Sequence, residues 1–451
     1  MTRQTNEKQF GVFAGQLGDG AAIYLGEVIN SQGQRWELQL KGAGMTPYSR
    51  AADGRKVLRS GIREFLCSEA MHHLGIATTR AATCIVSQED RVLRDMFYDG
   101  HGKMEACAVI SRIAETFIRF GTFENFKTRD VNTGRVGSCV GQMGILESLF
   151  DYVMDGFYAD IVAKHAQVRD VKERRKLICQ DFYSQIVDRT ARLVASWQCV
   201  GFCHGVLNTD NMSIIGLTLD YGPFCFMERF DPDCISNTSD DSGRYSFFQQ
   251  PNICKWNLFK LAEMLIHFVP LEELMKTLRN QYFHVYHQVY FELMRKKLGL
   301  HNELSSSGSG SVKNDQNVVS DLLELIKRTG SDFTNCFRTL SSLSRSEIVD
   351  KQTDFKQTID LLLKQRVSLE TFINQLKEEV DCNDFRIYQI IMETNPSLLG
   401  GTPVRIEHLL DKKQLIEELE VSLCISIYSQ WLLAVCPSFL IFYFFQKTEI
   451  E

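Results

Sequence analysis

The sequence predicts an α+β protein with a β-rich N-terminal lobe, a helical C-terminal lobe and a helical extension beyond it. Three observations carry that prediction. Short β-branched and aromatic runs, separated by Gly- and Asn-bearing turns, fill residues 9–42 and 81–113. A single helix-period segment stands between them, and from about residue 140 apolar residues recur mainly at helical spacing. A chain of 451 residues has room for two or three domains. The expected boundaries are 1–115 for the β-rich lobe, 116–300 for the helical lobe, 301–420 for the extension and 421–451 for an atypical apolar tail.

The elements follow in order. "QFGVFAGQL" and "AAIYLGEVI" read as two strands joined by the Gly-Asp-Gly turn at Gly18–Gly20, and "RWELQLKG" as a third after the turn "NSQGQ". In "DGRKVLRSGIREFLCSEAMHHLGI", Leu58, Ile62, Phe65, Leu66 and Met71 recur at helical spacing and mark the expected buried face. "AATCIVSQEDRVLRDMF" and "EACAVISRI" return to strand. "FYSQIVDRTARLVASW" places Tyr183, Ile186, Val187, Val194 and Trp197 on one helical face. "MSIIGLTLDYG" and "FCFMERFD" read as a hairpin, and "WNLFKLAEMLIHFV" and "LEELMKTLRNQYFHVYHQVYFELMRKKLGL" as amphipathic helices. "SSSGSGS" at 305–311 has the composition of a flexible linker. No internal repeat is visible.

Composition excludes some functions. A net charge of −6 and a pI near 6.0 provide no basic field for nucleic acid, so any polyanion bound here is small and held locally. The 14 cysteines form no C-x-x-C motif; the spacing of Cys199 and Cys203 makes a poor zinc site, and reduced buried thiols are the expectation. No targeting peptide is visible at "MTRQTNEKQF". The uncharged stretch 421–446 is long enough to span a bilayer. It reads either as a tail anchor or, preferably, as an aberrant terminus.

"HGVLNTDN", His204–Asn211, has the outline of a protein-kinase catalytic loop, H-R-D-L-x-x-x-N, with His204, Leu207 and Asn211 in register. Val206 stands where the catalytic Asp belongs, and a Val side chain accepts no proton. Other kinase-like parts are present in order. The turn "GQLGDG" carries Gly15, Gly18 and Gly20, where backbone amides can approach phosphates because no Cβ intrudes. Lys41 closes the third strand, and Glu64 on the next helix has the polarity of the lysine–glutamate pair that places a lysine beside phosphates. Asn211 and Asp220, the latter in "LDYGP", supply the amide and carboxylate oxygens suited to one Mg²⁺ between nucleotide phosphates.

"QFGVFAGQLGDGAAIYLGE", "ELQLKGAGMTPYSRAADGRKVLRSGIREFLCSEAMHHLGIATTRA", "HGVLNTDNMSIIGLTLDYGPF" and "FDPDCISNTSDDSGRYSFFQQP" strongly resemble the selenoprotein O family. The likeness is dense over roughly 9–300 and looser beyond. It implies a protein-kinase-like two-lobe fold and a protein adenylyltransferase that moves AMP from ATP to Ser, Thr or Tyr hydroxyls of other proteins. It also implies ATP bound flipped relative to kinases, with the α-phosphate toward the acceptor. By the same resemblance Asp210 is the proton acceptor, and Asn211 and Asp220 hold Mg²⁺ or Mn²⁺. Gly18, Gly20, Lys41, Asp53, Gly54, Arg112 and Arg119 contact the nucleotide, with Glu64 orienting Lys41. A mitochondrial location and protein substrates follow from the resemblance too.

The chain departs from the family's pattern in places. Ala21 stands where relatives carry an Arg on the nucleotide, a charge-assisted contact of about 1.5–3 kcal/mol. The start and end read as truncated relative to the family, with no selenocysteine. A catalytically weak nucleotide-binding pseudokinase that serves as a scaffold is the alternative reading. An ordinary kinase is disfavoured by Val206 and by the G-x-x-G-x-G order of the glycine turn.

Overall fold

The structure, a computed structural model, describes residues 4–9, 12–95, 100–298, 308–342 and 360–365. The chain divides into two units, residues 1–225 with 232–290, and residues 226–231 with 291–451.

The first unit begins with strands β1 (Gln4–Gln9) and β2 (Val12–Gly18), an antiparallel pair forming its own sheet. The single strand expected over "QFGVFAGQL" is therefore the end of one strand and most of another. Among the described residues β2 does not pair with β3 (Ala22–Ile29) across the Gly-Asp-Gly turn. The space beside that turn is taken by residues 46–49. A Cβ on Gly18 would lie 2.5 Å from the Tyr48 ring, and Thr46 Oγ1 donates to the Asp19 carbonyl at 2.8 Å. The turn is thus strapped from the side, and the two strands diverge.

The main sheet has the order β3, β4 (Arg35–Lys41), β7 (Lys103–Ala114), β5 (Lys56–Val57), with β6 (Arg80–Arg94) also paired to β7. Helix α1 (Leu58–His73) packs on it, but not with the expected face. Its buried positions are Gly61, Glu64, Cys67, Ser68 and Met71, whereas Ile62 and Leu66 are exposed. The 3–4 spacing is the same, rotated around the helix. Gly61 allows close approach, its virtual Cβ lying 3.4 Å from Ala108 Cβ, so a stripe of Gly61, Glu64, Cys67 and Ser68 meets the sheet, and of the expected face Met71 is the residue fully buried with it.

The helical region starts with the short α2 (Phe120–Phe123), α3 (Met143–Phe157) and α4 (Ala159–Lys164), and is organised by α5 (Val171–Cys199). Asp170 caps α5, accepting from the amides of Lys172 and Glu173. The expected face of Tyr183, Ile186, Val187, Val194 and Trp197 is buried. Phe182 meets Phe150 and Tyr158 edge-on at 5.9 and 5.0 Å between ring centroids. Helix α5 feeds strand β8 (Phe202–Cys203), which runs straight into the His204 loop, and α6 (Gln250–Met264) and α7 (Leu271–Lys297) complete the region.

Residues 212–222 and 224–231 do not form the expected hairpin. Met212 bridges Thr218 within the first run, and Thr218 also accepts from and donates to the segment at Ala77–Thr79. Trp197 Nε1 donates to Thr218 Oγ1 at 2.9 Å. These bonds consume the polar groups that a hairpin would have used.

In the second unit, α8 (Gly308–Thr329) buries Val319, Leu322, Leu325 and Ile326 on one side, and α9 (Phe333–Ser341) is capped by Asp332. Residues 308–311 of the expected linker belong to α8, as an N-terminal turn continued from that apolar stripe; 305–307 lie outside the described residues. So does the apolar stretch 421–446. Among the described residues no helix is long and apolar enough to cross a membrane. The whole is mixed α/β, an antiparallel N-terminal sheet followed by helices, compatible with a kinase-like two-lobe fold.

Candidate active site

The sheet side of the site is a cluster of cations around one carboxylate. Lys41 ends β4, and Glu64 lies on the sheet-facing stripe of α1, 2% exposed. Lys41 Nζ is 3.2 Å from Glu64 Oε2 and also bonds Asp220. Lys56, from β5, reaches the same Glu64 oxygen at 2.8 Å, and Arg112, from β7, reaches Oε1 at 3.5 Å. Arg112 is anchored further by Gln39 Oε1 at 2.8 Å. Burial alone would raise the Glu64 carboxyl, but Lys41, Lys56 and Arg112 hold it down at about 2. Burial pushes the Lys41 amine down to about 7 against the pull of Glu64. Glu64 is therefore anionic at any physiological pH, and Lys41 has the more adjustable charge.

Arg119 begins α2 and is 5% exposed; it reaches Asp19 of the glycine turn at 2.8 Å. Asp53 accepts from Arg94 at 2.8 Å and from the Arg55 amide at 2.9 Å, and the Arg94 bond holds its carboxyl below the usual range. Gly54 has φ +64°, and a Cβ there would collide with the Gly44 carbonyl at 2.1 Å.

The loop side is set by buried polar groups. The His204 ring is buried; Nε2 donates to the Leu219 carbonyl at 2.8 Å, and Nδ1 accepts from the Val206 amide at 3.3 Å. That pattern is the neutral imidazole, and burial lowers its pKa accordingly. The ring thereby ties the "HGV" turn to Leu219, the residue before Asp220. Asn257 of α6 donates to the Leu207 carbonyl at 2.9 Å, and Thr209 donates to the buried Glu124 carboxylate at 2.6 Å. Residues Thr209–Asn211 form one 3-10 turn. Asn211 Nδ2 donates to the Val206 carbonyl at 2.9 Å, which leaves the amide oxygen as the end able to take a cation. Asp220 adopts φ +61°, a left-handed conformation Asp tolerates better than most residues.

The two sides enclose one cavity of about 370 Å³, a size suited to a nucleotide-class ligand. Its lining includes Gly18, Gly20, Lys41, Asp53, Gly54, Arg112, Arg119, Asp210, Asn211 and Asp220, with Glu64 behind Lys41. Ala21 lines it as well. Sequence reasoning missed Lys56, Arg94 and Glu124. Lys56 sits on a two-residue strand too short to show a period, and Glu124 in a single 3-10 turn; only the kinase-like motifs around them hinted at their neighbourhood.

Hard oxygen donors on the loop side face cations on the sheet side, a division compatible with a site of the kinase-like class. Asn211 and Asp220 offer the oxygens such a site needs for Mg²⁺. Among the described residues there is no cluster of three or more His, Cys, Asp or Glu able to hold a metal by itself.

The chain belongs to the family described as protein adenylyltransferase SelO, whose pattern matches residues 6–422. It is 49% identical to mouse "Protein adenylyltransferase SelO, mitochondrial" over 414 residues, 91% of this chain and 60% of the relative. It is 47% identical to zebrafish "Protein adenylyltransferase SelO-1, mitochondrial" over 443 residues, 94% of this chain and 62% of the relative. "Protein nucleotidyltransferase YdiU" of Methylobacillus flagellatus is 45% identical over 340 residues, 75% of this chain and 60% of the relative. The chain thus spans about three fifths of the length of the curated relatives it matches.

Proposed function

We propose that this chain transfers AMP from ATP to Ser, Thr or Tyr hydroxyls of other proteins. The observation that carries the reading is the loop itself. Val206 has no carboxylate, while Asp210, one residue before Asn211, lines the same cavity as Asn211 and Asp220. The names of the relatives support the same chemistry. Mitochondrial placement belongs to the proposal on the strength of the mouse and zebrafish names.

In this reading the acceptor hydroxyl oxygen attacks the α-phosphorus, the α–β phosphoanhydride bond breaks and pyrophosphate leaves. Asp210 takes the hydroxyl proton. Lys41, Arg112 and Arg119 grip the β- and γ-phosphates, and an Arg fork can hold two oxygens at once. Asn211 and Asp220 would hold Mg²⁺ or Mn²⁺, which when bound neutralises charge on the phosphates. Gly18 and Gly20 of the turn contact the nucleotide, and Asp53 and Gly54 line the same cavity. Asp220 now rests on Lys41, so nucleotide entry exchanges that ion pair for phosphate contacts.

ATP labelled separately at the α- and γ-phosphate tests the proposal. Label reaching protein from the α position alone is the expected result. Label from γ alone would make the protein a kinase, and label from neither would leave a nucleotide-binding scaffold.

A further inference from the structure

We infer that Lys56 is a positioning residue for the nucleotide site, acting through Glu64 to keep Lys41 available to the polyphosphate. The inference rests on the reading of the cavity as an ATP site. Lys56 does not line that cavity. Its amine instead takes the nearest place on Glu64, 2.8 Å from Oε2. Lys41 is left at 3.2 Å from the same oxygen and 3.3 Å from Oε1, both longer than the 2.7–2.9 Å usual for charge-assisted bonds. The lysine that faces the cavity is therefore the one that Glu64 holds loosely, Asp220 being its other partner.

The place for Lys56 is built into the backbone. Gly42 follows Lys41 with φ +92°, and a Cβ there would come within 2.3 Å of Lys56 Cβ and 2.8 Å of the Ala108 carbonyl. Only a glycine lets β5 bring Lys56 this close to the end of β4. Lys56 itself is pinned by pairing opposite Ala108, and its side chain is 10% exposed.

Charge explains the consequence. Glu64 and Asp220 face Lys41, Lys56 and Arg112. Without Lys56 the full charge of Glu64 would fall on Lys41 and Arg112, two of the cations that line the cavity. Both would be drawn toward α1 and away from the phosphates.

The test is a double-mutant cycle read as Mg-ATP affinity and as KM against kcat. Lys56→Met should raise the Kd and KM for ATP about tenfold, the scale of lost outer partners at a charged site, with kcat changed less than about twofold. In a Glu64→Gln background, the same substitution should change Kd by less than about twofold, because the competing charge has gone. An equal loss in both backgrounds would show Lys56 acting by itself, and wild-type affinity in Lys56→Met would show it idle; either overturns the inference. Lys56→Gln keeps a donor for Glu64 without the charge and serves if the Met variant does not fold. It should weaken ATP binding at least about threefold, and unchanged affinity would again be fatal. Absence of ATP binding by the unmodified chain would sink the reading of the cavity itself, a different outcome from an inert Lys56.

Discussion

Replacing Asp210 with Asn removes the carboxylate proposed as proton acceptor while keeping the size of the side chain. The side chain is 7% exposed, and its turn is held by neighbours: Thr209 on Glu124 at 2.6 Å and Asn211 on the Val206 carbonyl at 2.9 Å. An amide of the same shape leaves those bonds in place. General-base help is typically about 10²–10⁴-fold, or about 2.7–5.4 kcal/mol of transition-state stabilisation. Asp210→Asn should therefore lower the rate of α-label transfer by that factor while Mg-ATP affinity stays within about threefold, as measured by calorimetry and single-turnover labelling. A companion variant, Val206→Asp, restores the kinase carboxylate and should still move no γ-label, because a flipped nucleotide keeps its γ-phosphate away from the acceptor. A loss below about tenfold in Asp210→Asn, or γ-label on protein in Val206→Asp, would refute the assignment.

Three further outcomes are expected. Lys41→Ala should weaken ATP binding by about 1.5–3 kcal/mol, the worth of a charge-assisted contact, and unchanged affinity would remove Lys41 from the phosphate site. Burial lowers the Lys41 amine from an ordinary 10.5 to about 7, while polyphosphate favours its charged form. ATP binding should then take up protons at pH 8 and fewer at pH 6, seen as buffer-dependent heats, and buffer-independent heat at pH 8 would contradict it. Phe182→Ala, at a fully buried ring packed on Phe150 and Tyr158, should destabilise the fold by about 3–5 kcal/mol in urea unfolding; a change under about 1 kcal/mol would mean the site collapses around the cavity.

The sequence made the fold class readable because the switch from strand runs to helical spacing is abrupt, and because α5 buries its bulky stripe. Helix α1 shows where such reading stops. Of its expected apolar face only Met71 is fully buried, Ile62 and Leu66 point outward, and the sheet-facing stripe of Gly61, Glu64, Cys67 and Met71 is chosen by close approach and by three cations around Glu64. Hydrophobicity cannot signal a glutamate that is buried because it is paired. Gly18, Gly20, Lys41, Asn211 and Asp220 of the cavity lining were legible through motifs whose order along the chain is specific. Lys56 was not, since its role depends on Gly42 bringing two strand ends together, a tertiary fact with no local pattern. The hairpin expected over 212–231 failed for a related reason: Thr218 takes its partners from Ala77 and Trp197, which are remote in sequence.

Val206 has one more lesson. Its amide supports His204 and its carbonyl holds Asn211, so this position shapes the loop through its main chain. Every residue other than proline supplies the same two groups. The side chain at 206 is consequently a free variable: it can be exchanged without reshaping the turn that carries Asp210 and Asn211. A loop built this way separates the scaffold of a reaction from its reagent. The carboxylate can then migrate four positions along the chain while the surrounding architecture stays put.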